Sequence, residues 1–247
     1  MPVPVNPSSP AGERLFQTTH WSVVLAAGEA GSSEALAALE RLCRAYWSPV
    51  YAYARRCGHS PHDAEDLTQE FFHRLLDRHY LAQADPRKGR FRNFLLVAVK
   101  HFLANEWDRA RAVKRGGRLT FISLDQGAGD GDPWEVAAGE SPDQAFARAW
   151  ALTFLERVLA RLRDELGREE QRAQFDELKG FLLGDPSAPP YAQVAAKLDT
   201  TEAAIKMAVQ RLRRRFAEVL REEIAHTVVG PEEIDDEIRC LFAAIAS

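Results

Sequence analysis

Cysteine is scarce in this 247-residue chain. Cys43, Cys57 and Cys240 lie far apart with no Cys-x-x-Cys pair, which excludes a disulfide framework and a zinc site of the usual spacing and fits a reducing, cytoplasmic setting. Long apolar runs are missing too. Nothing approaches the roughly 18 consecutive apolar residues of a membrane span. The opening MPVPVNPSSPAGERLF has no basic start followed by an apolar core, so it does not read as a secretion signal. Strand patterns are nearly absent: RLTFISL (118–124) alternates weakly, and one strand makes no sheet. No Gly-rich phosphate loop and no Ser or Cys nucleophile motif appears, so neither a cofactor nor catalysis is expected. Glu70-x-x-His73 and Glu223-x-x-His226 have the spacing that di-iron bundles use, but the additional inward glutamates such a site needs are missing. Both pairs therefore read as chance neighbours on solvated faces. Cys57-x-His59-x-x-His62 lacks a fourth ligand, and no metal is expected.

What the chain does have is segregated charge. The formal net charge is only −4, with 46% hydrophobic and 28% charged residues, an ordinary globular composition. Yet between Arg87 and Arg118 ten basic residues face only Glu106 and Asp108. That block is a candidate surface for a polyanion. From Leu119 to Ala147 the sign reverses: no Lys or Arg, but Asp125, Asp130, Asp132, Glu135, Glu140 and Asp143. This stretch is dense in Gly, Pro, Ser and Asp without apolar periodicity, and reads as a flexible acidic linker.

Helical periodicity dominates on both sides of it. Leu36, Leu39, Leu42, Cys43, Tyr46, Val50 and Ala54 form one stripe with a bend expected near Pro49. SPHDAEDLTQEFFHRLL opens with Ser60 as cap, Pro61 in the first turn and acids at the positive end of the helix dipole. RFRNFLLVAVKHFLANEWDRARAVKR is expected to bury Phe94, Leu95, Ala98 and Phe102. Beyond the linker, Phe146, Trp150, Phe154, Val158 and Leu162 recur every four residues, and a shorter helix closes at Gly184. In YAQVAAKLDTTEAAIKMAVQRLRRRF (191–216), Val194, Ala195 and Leu198 face inward, DTT breaks the helix, and Thr200 or Thr201 caps a second helix with Ile205, Val209, Leu212 and Phe216 inside. This is a helix-turn-helix pattern. Its outward residues Thr201, Glu202, Ala203, Lys206 and Gln210 would meet base edges, and Arg211, Arg213 and Arg214 phosphates.

Taken in order, DAEDLTQEFFHRLL, FRNFLLVAVKHFLANEWDRAR and the 191–216 segment resemble the polymerase-binding helix, the promoter-melting helix and the −35-reading helix-turn-helix of bacterial extracytoplasmic-function sigma factors of the sigma-70 class. THWSVVLAAG and EIDDEIRCLFAAIA resemble the planctomycete-like members. The resemblance implies that Asp63, Glu65, Asp66, Gln69 and Glu70 dock on core RNA polymerase, while Arg92, Lys100, His101, Asn105, Trp107 and Arg109 hold melted −10 DNA. Promoter DNA is the second implied partner, and an anti-sigma or other regulatory protein a third. The family usually has Gly in the turn where this chain has Asp199, a residue that tolerates a left-handed backbone.

The expected organisation is all-α: an N-terminal extension (1–34), a region-2-like domain (35–118), the acidic linker (119–143), a region-4-like domain (144–229) and an acidic helical extension (230–247). The spacer 167–190 is longer than usual and has no assigned role. The alternative function is a stand-alone helix-turn-helix regulator, which would leave the acidic docking helix unexplained. In the extension, Ile234, Ile238, Leu241, Phe242 and Ile245 form an apolar stripe beside Asp235, Asp236 and Glu237. Either this helix folds back on the arginine-bearing helix and restrains it, or it completes the core of the second domain.

Overall fold

The computed structural model describes Val24 and residues 33–76, 81, 84–85, 89–114, 139–184, 187–228 and 230–246. The linker from 119 to 138, nearly all of the N-terminal extension and the basic residues Arg87, Lys88, Arg115 and Arg118 lie outside these. No strand occurs among the described residues. Among the described residues, eight helices follow one another: α1 (Ser33–Arg56), α2 (Pro61–Leu76), α3 (Phe91–Lys114), α4 (Pro142–Asp164), α5 (Glu169–Leu178), α6 (Tyr191–Lys197), α7 (Glu202–Ala225) and α8 (Ile234–Ala246), and Val24 ahead of them is also helical. Short 3₁₀ turns occupy Lys179–Phe181 and Pro231–Glu233.

α1 buries Ala38, Leu42, Ala45, Tyr46, Val50 and Tyr53, the helical stripe of its sequence, and runs on through Pro49. α4 is fixed at its start by a capping box: the Ser141 hydroxyl accepts from the Gln144 amide at 3.2 Å, and the Gln144 side chain accepts from the Ser141 amide at 2.8 Å. Pro142 fits the first turn, where its missing N–H costs nothing. The Phe146, Trp150, Phe154, Val158, Leu162 series is buried throughout.

α4, expected to open the second domain, packs along α1 of the first. Ala145 and Ala149 on α4 meet Ala52 on α1, and three methyl side chains let the backbones approach closely. One apolar cluster runs from Tyr46, Leu95 and Phe102 through Phe146, Trp150 and Phe154 to Phe216, Val219 and Leu241. A smaller cluster of Leu178, Phe181, Val194, Ala195, Ile205, Ala208 and Val209 holds α6 against α7.

α7 ends at Ala225, with His226 at its C-cap, so Gly230 lies outside the helix it was expected to close. The stripe of α8 also differs from its sequence reading. Phe242 is 44% exposed, whereas Glu237 is 1% exposed. Leu241 is fully buried, and Ile234, Ile238 and Ile245 pack on the main cluster. Burying one such leucine stabilises by about 1.5–3 kcal/mol, enough to hold a short helix in place. α8 therefore completes the core, on α4 and α7.

Candidate polymerase and nucleic-acid interface

α2 starts at a reciprocal cap: the Ser60 hydroxyl accepts from the Asp63 amide at 3.2 Å and donates to the Asp63 carboxylate at 2.7 Å. Ala64, Thr68, Phe71, Phe72 and Leu75 form its buried face. The Thr68 hydroxyl has no access to water and donates to the Ala64 carbonyl at 2.7 Å, which removes the cost of an orphaned polar group. Helical geometry then turns Asp63, Glu65, Asp66, Gln69 and Glu70 outward, and all five are exposed. Glu70 has a second task. It accepts from Arg74 at 2.7 Å, and Arg74 also reaches Glu106 of α3 at 2.8 Å while its guanidinium lies 5.0 Å from the Phe102 ring centre.

α3 is seated by Phe91, Leu95, Ala98, Val99 and Phe102, with Phe71 of α2 edge-on to Phe102 at 5.6 Å. Phe94, expected in the buried set, is half-buried against the core. A cavity of about 40 Å³ separates α2 from α3, lined by Phe71, Arg74, Leu75, Ala98, Phe102 and Asn105. His101, Asn105, Trp107 and Arg109 are exposed, and the Trp107 ring at 59% offers a face on which an unpaired base can stack.

The other two expected −10 residues are engaged within the chain. Arg92 is 14% exposed, stacks over Trp150 of α4 at 4.3 Å and donates to the Glu237 carboxylate of α8. Arg90, just ahead of α3, is 2.8 Å from the other oxygen of Glu237. Burial and the neighbouring Arg90 push the Arg92 guanidinium down to about 10, still a cation at neutral pH. Lys100 pairs with Asp143, in the first turn of α4, at 2.6 Å.

On α6 and α7, Asp199 takes a positive φ of 48°, the left-handed backbone its side chain tolerates, and Thr201 caps α7 by accepting from the Ala204 amide at 3.2 Å. Thr201, Glu202, Ala203, Lys206 and Gln210 are exposed at its N-terminal half. Lys206 is paired with Glu202 at 2.6 Å. The arginines divide. Arg211, Arg213 and Arg214 are all exposed, and Arg214 lies 3.4 Å from Glu218. Arg213 donates twice to the Phe181 carbonyl, at 3.2 and 2.9 Å, and so fastens α7 to the 3₁₀ turn before α6. Arg215 is held by both Glu165 oxygens at 2.8 and 2.9 Å, with Glu218 and Glu222 at 3.1 and 3.3 Å. This cage of carboxylates raises its pKa further. Glu223, read as solvated, is 5% exposed and accepts from Arg161.

The sequence missed the joining of Arg90, Arg92, Trp150 and Glu237. A signal was there: Glu237 sits at i+3 from Ile234 and four before Leu241, inside the apolar stripe. No group of three or more potential metal ligands gathers among the described residues. No described helix is long and apolar enough to cross a membrane.

Comparison with curated proteins and with solved structures gives no match. Comparison with protein families gives one, sigma-70 region 2, over residues 42–113, from within α1 to near the end of α3. Region 2 is the part of sigma factors that binds core RNA polymerase and melts promoter DNA. Residues 42–113, with the acidic α2 face and the aromatic, basic end of α3 exposed, are similar to such a region, and this match supports sigma-factor function, the direction of transcription initiation by core RNA polymerase, over that of a stand-alone regulator.

Proposed function

We propose that this chain is a sigma factor of the sigma-70 class, of the extracytoplasmic-function type and planctomycete-like, with two promoter-reading regions. Asp63, Glu65, Asp66, Gln69 and Glu70 form the polymerase-docking face. His101, Asn105, Trp107 and Arg109, joined by Arg92 and Lys100 once these are released, hold the melted −10 bases. Thr201, Glu202, Ala203, Lys206 and Gln210 read the −35 duplex, with Arg211, Arg213 and Arg214 toward its phosphates. The factor acts in the cytoplasm, without catalytic activity, under the control of an anti-sigma or other regulatory protein.

The observation that carries this reading is the exposure of Asp63, Glu65, Asp66, Gln69 and Glu70 on one side of α2, with Glu70 joined through Arg74 to Glu106 of α3, next in sequence to the exposed Trp107. A face that serves only as solvated surface needs no such neighbour. The test is Glu65→Arg with Asp66→Arg, which leaves the Glu70–Arg74–Glu106 tie intact. Reversal at two exposed sites shifts stability by no more than about 0.5 kcal/mol each. Co-purification with core polymerase and run-off transcription are both lost in the double variant; retention of both would refute the assignment of α2. A wild-type chain that bound duplex promoter DNA but never polymerase would restore the stand-alone regulator.

A further inference from the structure

α8 meets α3 through polar groups. Its carboxylate Glu237 is buried between Arg90 and Arg92, the first cations of the helix read above as the −10 face. Cys240, one turn further, lies 3.8 Å from Arg90. The apolar residues of α8 rest elsewhere, on the cluster shared by α4 and α7, and Asp235 ties the helix to Arg221 of α7 at 2.6 Å. A carboxylate facing two guanidinium groups offers them the same charge and acceptor oxygens as a phosphodiester. Asp143 does the same for Lys100. Three cations at the start and middle of α3 are thus occupied by acids from α4 and α8, while His101, Asn105, Trp107 and Arg109 are exposed, Arg109 meeting only Glu106 of its own helix at 2.7 Å.

We propose that α8 is an internal plug: Glu237 stands in for a backbone phosphate on Arg90 and Arg92, and the factor engages melted DNA fully only when the nucleic acid takes those arginines and α8 swings away from α3. A purely structural ion pair explains the contact less well. Burying a carboxylate and two guanidinium groups gains little over apolar packing, and here the pair falls at the start of α3 rather than among the apolar contacts that α8 makes with α4 and α7. This inference rests on the reading of α3 as the −10 face.

The chain supplies its own reporters, since Cys57 at the end of α1 and Cys240 on α8 are both exposed. With Cys43→Ala in the background, spin labels on these two thiols are measured by pulsed EPR in the full chain alone and with core polymerase plus oligodeoxythymidine. The plug predicts one narrow distance in the chain alone and a longer, broader one in the complex. A second measurement uses Glu237→Gln, which keeps the side-chain shape, and titrates oligodeoxythymidine at several salt concentrations. Its binding is tighter than wild type, and its salt slope is steeper by about 1.4, two phosphate contacts at roughly 0.7 each on a single strand. An unchanged narrow distance in the assembled complex, or an unchanged slope in the variant, overturns the plug. If the chain bound oligonucleotide with the predicted slope change but no polymerase, the docking role of α2 would fail and the plug would stand.

Discussion

The two helices expected to meet nucleic acid, α3 and α7, both carry runs of cations and use them in opposite order. On α3 the early cations Arg90, Arg92 and Lys100 are bound within the chain, and the later part, from His101 to Arg109, is exposed. On α7 the early part is exposed, and among the late cations Arg213 and Arg215 are bound internally. In both helices the cations engaged from outside their own helix meet Glu237 of α8, Asp143 of α4, Glu165 just after α4 and the Phe181 carbonyl. A basic run in a sequence counts charge; which part of it can reach a phosphate is decided by the acids and carbonyls that tertiary packing brings alongside.

The comparison is sharpened most by Trp107→Ala. If the late part of α3 is the open half, loss of the exposed ring weakens binding of single-stranded DNA by about 1–3 kcal/mol, read by fluorescence anisotropy, with the melting temperature unchanged. Next comes the contrast of Arg213→Ala with Arg214→Ala. The first removes two hydrogen bonds to the Phe181 carbonyl and lowers stability by about 1 kcal/mol in urea denaturation. The second stays within about 0.5 kcal/mol but reduces the salt slope of duplex binding by about 0.9. Equal stability losses in the two variants would break the division of the arginines. The smallest effect belongs to Asp143→Asn. Its pair with Lys100 is 40–51% exposed, so stability falls by less than about 1 kcal/mol, and adding salt to the wild type erases the difference.

Features governed by local chemistry were legible in the sequence. Ser60 and Thr201 cap where a short oxygen-bearing side chain precedes an apolar period, Gly184 takes a positive φ of 70° at the close of its segment, and Asp199 adopts the left-handed turn. The outward placement of the α2 acids follows from a period of 3.6 and an apolar opposite face. What could not be read depends on partners distant in the chain. Arg213 finds a carbonyl 32 residues away, Arg215 a glutamate 50 away, and Arg92 a glutamate 145 away. No periodicity encodes such pairings. Glu237 was half legible, because its position lies in the apolar stripe, but a charged residue there is read as outward unless its counter-ions are known. Phe242 erred the other way: its spacing fits the stripe, and among the described residues nothing covers it fully.

The alanine contact of α4 with α1 has a consequence for the chain while it is being made. At roughly 5–20 residues per second, synthesis from the end of α1 to the end of α4 takes about 5–20 s. Throughout that interval α1 to α3 leave the ribosome without the helix whose Phe146, Trp150 and Phe154 complete their core, and Arg90 and Arg92 emerge well before Glu237. The nascent factor thus passes through a period in which its cations are open and its core is incomplete, and only translation of α8 brings that period to a close.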